Sequence, residues 1–240
     1  MTPSDPGFSI HPEIYSAEEI DDIIKIIDKP AVNNPSFRRN GALYAVRNFI
    51  SAFPPLVPVL FNQQLKELLH HNFGEGYFIS KSIYFDKPPN SNWFVPYHQD
   101  LTISVEKKVK MPGFNSWTVK HEQFSVQPPI PILENNFTVR IHLDDTDNTN
   151  GALRVIPNSH LKGICRTDKI NNIIDGEVIC SVPKGGVMLM RPLLLHASSK
   201  SASQSRRRVI QIEFSKQELP EPLQWSEKYV LNLHESLSTV

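Results

Sequence analysis

Gly185-Gly186-Val187-Met188-Leu189-Met190-Arg191-Pro192-Leu193-Leu194-Leu195-His196 is the stretch on which the reading of the fold turns. An apolar run opens after two glycines and delivers a histidine at its end, where Ala197, Ser198 and Ser199 begin a polar turn. A short apolar run bounded by turn residues reads as a buried strand. Working outward, comparable runs lie at Tyr77–Phe85, Phe137–Leu143, Leu153–Ile156, Val178–Val182, Val187–Arg191 and Val209–Phe214, separated by Pro, Gly and Asn clusters. Many short strands with turn signals predict a sandwich or jelly roll, not a parallel βαβ sheet.

The first quarter of the chain is different. Ser16 followed by Glu19 fits a capping box, and Ile20, Ile23, Ile24 and Ile27 then share one helix face. Pro30 stops that helix. A second helix is expected from about Asn62 to Asn72, with Leu65, Leu68 and Leu69 inward and Gly74 just past its end. The fold class expected is therefore mainly β with flanking α-helices. One domain spans 1–240: N-terminal helices over about 14–74, a β core over about 77–216 and a C-terminal extension over 217–240. The stretch Glu106–Ile132 holds four prolines and reads as irregular, either a lid or binding loop or a mobile surface loop.

Bulk properties narrow the function. Lys plus Arg (25) equals Asp plus Glu (25), which gives no global attraction to nucleic acid or an anionic membrane. No apolar run approaches the roughly 20 residues of a membrane-spanning helix, and the N-terminus does not read as a secretory signal. Cys165 and Cys180 are expected as reduced thiols in a cytoplasmic protein. Asn136-Phe137-Thr138 would matter as a sequon only in a secreted one.

Tyr97-His98-Gln99-Asp100 places an imidazole and a carboxylate two residues apart, a spacing that in a strand turns both to one face. His196 added to His98 and Asp100 gives two histidines and one carboxylate, a facial set that leaves three positions open on six-coordinate iron(II). Arg206-Arg207-Arg208 opens the run Val209–Phe214, which alternates only partly. An arginine inside a barrel needs a partner, and guanidinium meets carboxylate through two parallel hydrogen bonds. A basic patch for nucleic acid is the alternative for these arginines.

Four elements in order then resemble the phytanoyl-CoA dioxygenase family. They are His98-Gln99-Asp100, the turn Asn150-Gly151-Ala152-Leu153-Arg154-Val155-Ile156-Pro157-Asn158-Ser159-His160, the distal His196, and Arg207 eleven residues beyond it. The resemblance covers roughly Tyr77 to Phe214. It implies a double-stranded β-helix, a jelly roll of cupin type, and an iron(II)- and 2-oxoglutarate-dependent dioxygenase using O2 on a small-molecule substrate. His98, Asp100 and His196 would hold iron, and Arg207 would anchor 2-oxoglutarate. Gln99 matches a glutamine near the cosubstrate in some relatives. Arg140 falls where some relatives carry tryptophan; it would touch cosubstrate or an acidic substrate, or pair with Asp144. Asn158 replaces a usual glycine and tolerates the left-handed conformation. Asp100 also favours hydroxylation over halogenation, because halogenating relatives replace this carboxylate with a small residue.

Other motifs carry less. His160 closes the turn in the family pattern, and His121 and His142 have no partner at ligand spacing. Asp144, Asp145 and Asp147 fail as a calcium loop on register. His70-His71 suits a helix C-terminus. The competing readings are a non-catalytic jelly-roll binding protein and a zinc hydrolase built from the same ligand types.

Overall fold

The capping box and isoleucine stripe do what their spacing dictates. In the computed structural model, which describes residues 5–28, 37–40, 43–89, 94–120, 123–165 and 176–231, helix α1 spans Ala17–Asp28. The Ser16 amide donates to Glu19 Oε2 at 2.8 Å, the Glu19 amide donates to Ser16 Oγ at 3.2 Å, and Ile20, Ile23 and Ile27 are buried. Pro30 and His121 lie outside the described residues. Two short helices, α2 (Phe49–Ala52) and α3 (Val57–Leu60), precede α4 (Gln63–Phe73). Asn62 caps α4 through the Leu65 amide at 2.9 Å, and His70 and His71 sit in its last turn.

These helices cover one face of a large antiparallel sheet. Its strands are β1 (Phe8–His11), β2 (Phe37–Asn40), β3 (Leu43–Arg47), β4 (Phe78–Lys87), β9 (Phe137–His142), β12 (Val187–Met190) and β14 (Arg207–Ser215). They run in the order β1-β12-β9-β14-β4-β3-β2, with β15 (Tyr229–Val230) added on β4. A second sheet has the order β11 (Val178–Cys180), β10 (Leu153–Val155), β13 (His196–Ser198), β5 (Val95–His98). The two sheets face each other, as their inward side chains line one cavity. This is the double-stranded β-helix expected.

Strand alternation sorts the large sheet's residues. Val139, Ile141, Leu189, Ile210, Ile212 and Phe214 point outward and pack with α1 to α4 around Phe49, Leu56 and Leu65. The residues between them, Arg140, Arg207 and Gln211, point into the barrel. Burying the apolar face against the helices stabilises about 25 cal/mol per Å2 removed from water, which fixes the register of the polar face.

Glu106–Ile132 is not the irregular loop expected. Among the described residues it contains β7 (Asn115–Lys120) and β8 (Gln123–Gln127), which pair with β6 (Ile103–Val105) in a third sheet. The short helix α5 (Ile130–Glu134) follows. Proline density misled the reading: Pro112, Pro128 and Pro129 stand outside the strands, and Pro131 sits in the first turn of α5, where no amide donor is needed. Val105, Phe114 and Val126 form the buried underside of this sheet with Trp225 of the C-terminal extension.

Candidate active site

β5 ends at His98, so Asp100 lies just past the strand and not within it. Its position is set by its own amide, which donates to the Pro192 carbonyl at 2.9 Å. His196 opens β13 directly opposite His98 in the pairing register. The ring centroids are 4.1 Å apart, and His196 Nε2 is 3.9 Å from Asp100 Oδ2. One nitrogen from each ring and one carboxylate oxygen all lie within 4.8 Å of one another, the spacing of ligands around a single ion.

The rings are oriented for that task. Nδ1 of His98 is 2.9 Å from the Pro96 carbonyl, and Nδ1 of His196 is 2.9 Å from the Leu194 carbonyl. A carbonyl only accepts, so each Nδ1 carries the proton and each Nε2 keeps a lone pair for a metal. Burial is the largest influence on His196 and pushes its pKa down to about 4, so the ring is neutral, as ligation requires. For Asp100, burial alone would raise the pKa. The combined field of His196, Lys81, His98 and Arg140 overrides it and holds the carboxyl below its ordinary value.

The alternation of β14 settles the three arginines. Arg206 pairs with Asp86 (Nε to Oδ1, 2.8 Å), and Arg208 grips Asp144 (Nε to Oδ2, 2.9 Å; Nη2 to Oδ1, 2.7 Å). Arg207, between them, points the other way into the cavity, where it is 7% exposed. Among the described residues its Nε and Nη1 are buried without a hydrogen-bond partner. Burial and the neighbouring Arg140 push its pKa down to about 9. A buried guanidinium with open donors fits a carboxylate-bearing ligand. Arg140 also lines the cavity, with its Nη1 donating to Gln211 Oε1 and its Nε unpartnered. Arg140 does not pair with Asp144, whose carboxylate Arg208 occupies.

Gln99 is corrected. It sits one residue from each ligand and therefore faces away from the cavity. Its Nε2 donates to the Gly163 carbonyl at 2.8 Å and the Leu193 carbonyl at 2.6 Å, and its Oε1 accepts from the Cys165 amide at 2.8 Å. It braces the loops around the site. The turn at 150–160 does likewise. Asn158 adopts the left-handed conformation (φ 65°), and Ser159 Oγ accepts from the Leu195 amide at 2.8 Å, one residue before His196.

The cavity also takes in charged and polar residues that the sequence does not point to, among them Lys81, paired with Glu213 at 2.7 Å, Arg47 and Gln211. Lys81 carries a weak signal, a cation alternating with Ile79 and Ile83 in β4; Arg47 carries none. Both cysteines are free, and Asp147 is committed to Thr149 at 2.7 Å, not to a calcium loop. No helix among the described residues is long and apolar enough to cross a membrane.

A jelly roll whose interior gathers two imidazoles and one carboxylate at a single point defines the class of non-haem iron oxygenases. Within it, residues 5–209 match the model of the phytanoyl-CoA dioxygenase (PhyH) family, and the chain belongs to that family. No curated protein sequence matches the chain. Solved structures share the fold. EctD from S. alaskensis superposes with a TM-score of 0.68 at 16% identity, over 92% of this chain and 82% of its own. AviO1 from Streptomyces viridochromogenes Tue57 gives 0.63 at 20% identity, over 90% and 93%. SnoK, an alpha-ketoglutarate-dependent carbocyclase from nogalamycin biosynthesis, gives 0.65 at 14%, over 89% and 81%. EctD has been crystallised with bound Fe and with 2-oxoglutarate and 5-hydroxyectoine.

Proposed function

We propose that this chain hydroxylates a small molecule, using iron(II), O2 and 2-oxoglutarate and releasing succinate and carbon dioxide. The observation that carries the reading is a metal-type triad and a buried, unpaired guanidinium sharing one cavity of about 360 Å3. His98, Asp100 and His196 are the iron ligands, and Arg207 holds the distal carboxylate of 2-oxoglutarate, with Arg140 beside it. Asp100 contributes the charged ligand, and its presence favours hydroxylation over halogenation.

Iron(II) chelated by 2-oxoglutarate supplies the oxidising chemistry when bound. The chain's own residues position and protect. The Pro96 and Leu194 carbonyls fix both imidazoles in the ligating tautomer. Asp100 remains ionised in the field of its neighbours. Ile83, Phe85, Val95 and Leu153 make the cavity walls partly apolar and limit water there. The Lys81–Glu213 pair neutralises itself beside the ligands.

The test has two readouts. Anaerobic addition of iron(II) and 2-oxoglutarate should produce a weak visible metal-to-ligand absorption band. In air with ascorbate, succinate should form slowly even without substrate. His98→Ala and Asp100→Ala should lose both signals. Full turnover in both variants would overturn the ligand assignment; no band and no succinate in the wild type would favour a non-catalytic jelly roll.

A further inference from the structure

The cavity extends along β4 away from Arg207: Arg207 stands opposite Lys87, and Arg47 opposite Ile83 further along that strand. The walls there are β4, β3 and the small sheet that the sequence reading took for a loop. Arg47 of β3 stands opposite Ile83 of β4 in the pairing register, so both project to the same, inner face. Across from them β7 and β8 present Thr118, Lys120, Gln123 and Ser125. Thr118 pairs with Ser125 and Lys120 with Gln123, which aligns these polar side chains along one wall.

The charges lining the cavity are not balanced. Arg47, Lys81, Lys120, Arg140 and Arg207 line the cavity against one lining carboxylate, Asp100. Lys81 is matched by Glu213. On the reading above, Asp100 is committed to a metal, Arg207 and the neighbouring Arg140 to the cosubstrate, and Lys120 is solvated. Arg47 remains. Glu213 is the acid whose field reaches it, and Lys81 already holds that carboxylate at 2.7 Å. Among the described residues Arg47 makes no ion pair, although burial lowers its pKa. A half-buried cation held in place without a counter-charge costs stability unless a ligand repays it. Lys120 is exposed at the mouth, placed to attract the same charge.

We propose that the substrate carries an anionic group, a carboxylate or a phosphate, that docks on Arg47 with Lys120 at the entrance, and lays an apolar portion against Ile83 and Phe85. This names the substrate class of the site proposed above and rests on that reading for the identity of the reaction. A cationic substrate is excluded by the same charges. The cavity is at the low end of ligand pockets, about 300–1,000 Å3, and cosubstrate takes part of it, so the portion that enters is small.

Binding tests this without turnover. The full chain is titrated calorimetrically with hexanoate, hexyl phosphate and hexylamine. Each titration is run alone and again under argon with manganese(II) and saturating 2-oxoglutarate. Hexanoate or hexyl phosphate should bind, whichever is tighter reporting the source of the charge, and hexylamine should not. Binding should persist with 2-oxoglutarate present. Arg47→Gln should weaken it at least fivefold, Lys120→Gln about twofold, and Arg47→Lys should keep it within threefold. The Arg47→Gln loss should be as large with manganese(II) and saturating 2-oxoglutarate present, where Arg207 is already occupied. Displacement of the anion by 2-oxoglutarate, equal binding of hexylamine, or undiminished binding to a folded Arg47→Gln protein overturns the proposal. Failure of 2-oxoglutarate to bind while hexanoate still depends on Arg47 sinks the cosubstrate reading and leaves the anion site standing.

Discussion

Replacing Arg207 with methionine should stabilise the ligand-free protein and abolish its response to 2-oxoglutarate. Arg207 is 7% exposed, and two of its nitrogens find no partner. Its pKa falls from the ordinary guanidinium range to about 9, chiefly through burial and secondly through Arg140. At about 1.36 kcal/mol per tenfold change in the proton equilibrium, that drop sets an upper bound of about 5 kcal/mol on the cost of burying this charge. Water in the cavity and side-chain relaxation lower the figure, and buried unsatisfied groups cost about 1–3 kcal/mol when measured. At about 2–4 °C per kcal/mol for a chain of this size, Arg207→Met should unfold roughly 2–12 °C above the wild type. With 2-oxoglutarate at 100 times its Kd the wild type gains about 2.7 kcal/mol, and the variant should gain nothing. The pH dependence has a definite sign. From about pH 9 upward the unfolded chain keeps a proton on this guanidinium that the folded chain releases, so wild-type stability rises with pH there. The penalty is complete below about pH 9, so the gap between variant and wild type should be flat there and close above it. Differential scanning fluorimetry across pH, with and without 2-oxoglutarate, reads all three effects. A variant no more stable than the wild type, or one still stabilised by 2-oxoglutarate, refutes the reasoning.

The remaining expectations follow from the same contacts. Asp100→Asn removes the charged ligand, and metal content after iron loading should fall from about one ion per chain to below a tenth of that, measured by plasma emission. Gln99→Ala breaks three hydrogen bonds to backbone, one buried and two partly buried; at roughly 1 kcal/mol each it should lower stability by about 3 kcal/mol in urea titration, while the 2-oxoglutarate Kd at saturating metal changes less than threefold. Gly151→Ala places a Cβ 2.8 Å from the Ser199 carbonyl and 2.7 Å from Lys87 Nζ, at a φ of +86°; the loss should exceed about 1 kcal/mol, with unchanged stability refuting the close approach. Lys87 has a pKa pushed down to about 8 by burial and by Arg207, so Arg207→Met should raise it, visible as slower labelling by an amine-directed reagent at pH 8.

How much of this was legible in the sequence follows from which signals are local. The capping box, the isoleucine stripe, and the asparagine at the left-handed turn position each depend on residues within a few positions, and all appear as written. The ligand set was legible because one strand end and one loop residue carry two ligands, and an apolar run carries the third to its neighbour. The β6–β8 sheet was not legible, because its prolines sit just outside the strands that pair. Strand β1 was equally hidden: Phe8–His11 has no pattern of its own and exists because β12 offers an edge. Arg47 joins the cavity only through the register of β3 on β4, a long-range fact that no window of sequence contains.

Arg206, Arg207 and Arg208 show how far chemistry and periodicity go together. Three identical side chains stand in a row, and composition cannot rank them. The strand's alternation turns the first and third outward and the second inward, and the outward pair each meet an aspartate supplied by a neighbouring segment, Asp86 and Asp144. Those pairs anchor the two flanks of β14. The inward arginine is thereby held at a fixed height in the barrel with no acid of its own. Structural satisfaction of the neighbours is what leaves Arg207 free to hold a ligand. Exchanging its role with Arg208 would require a one-residue slip of β14, which would drive Ile210, Ile212 and Phe214 out of the helix-covered core and into the cavity.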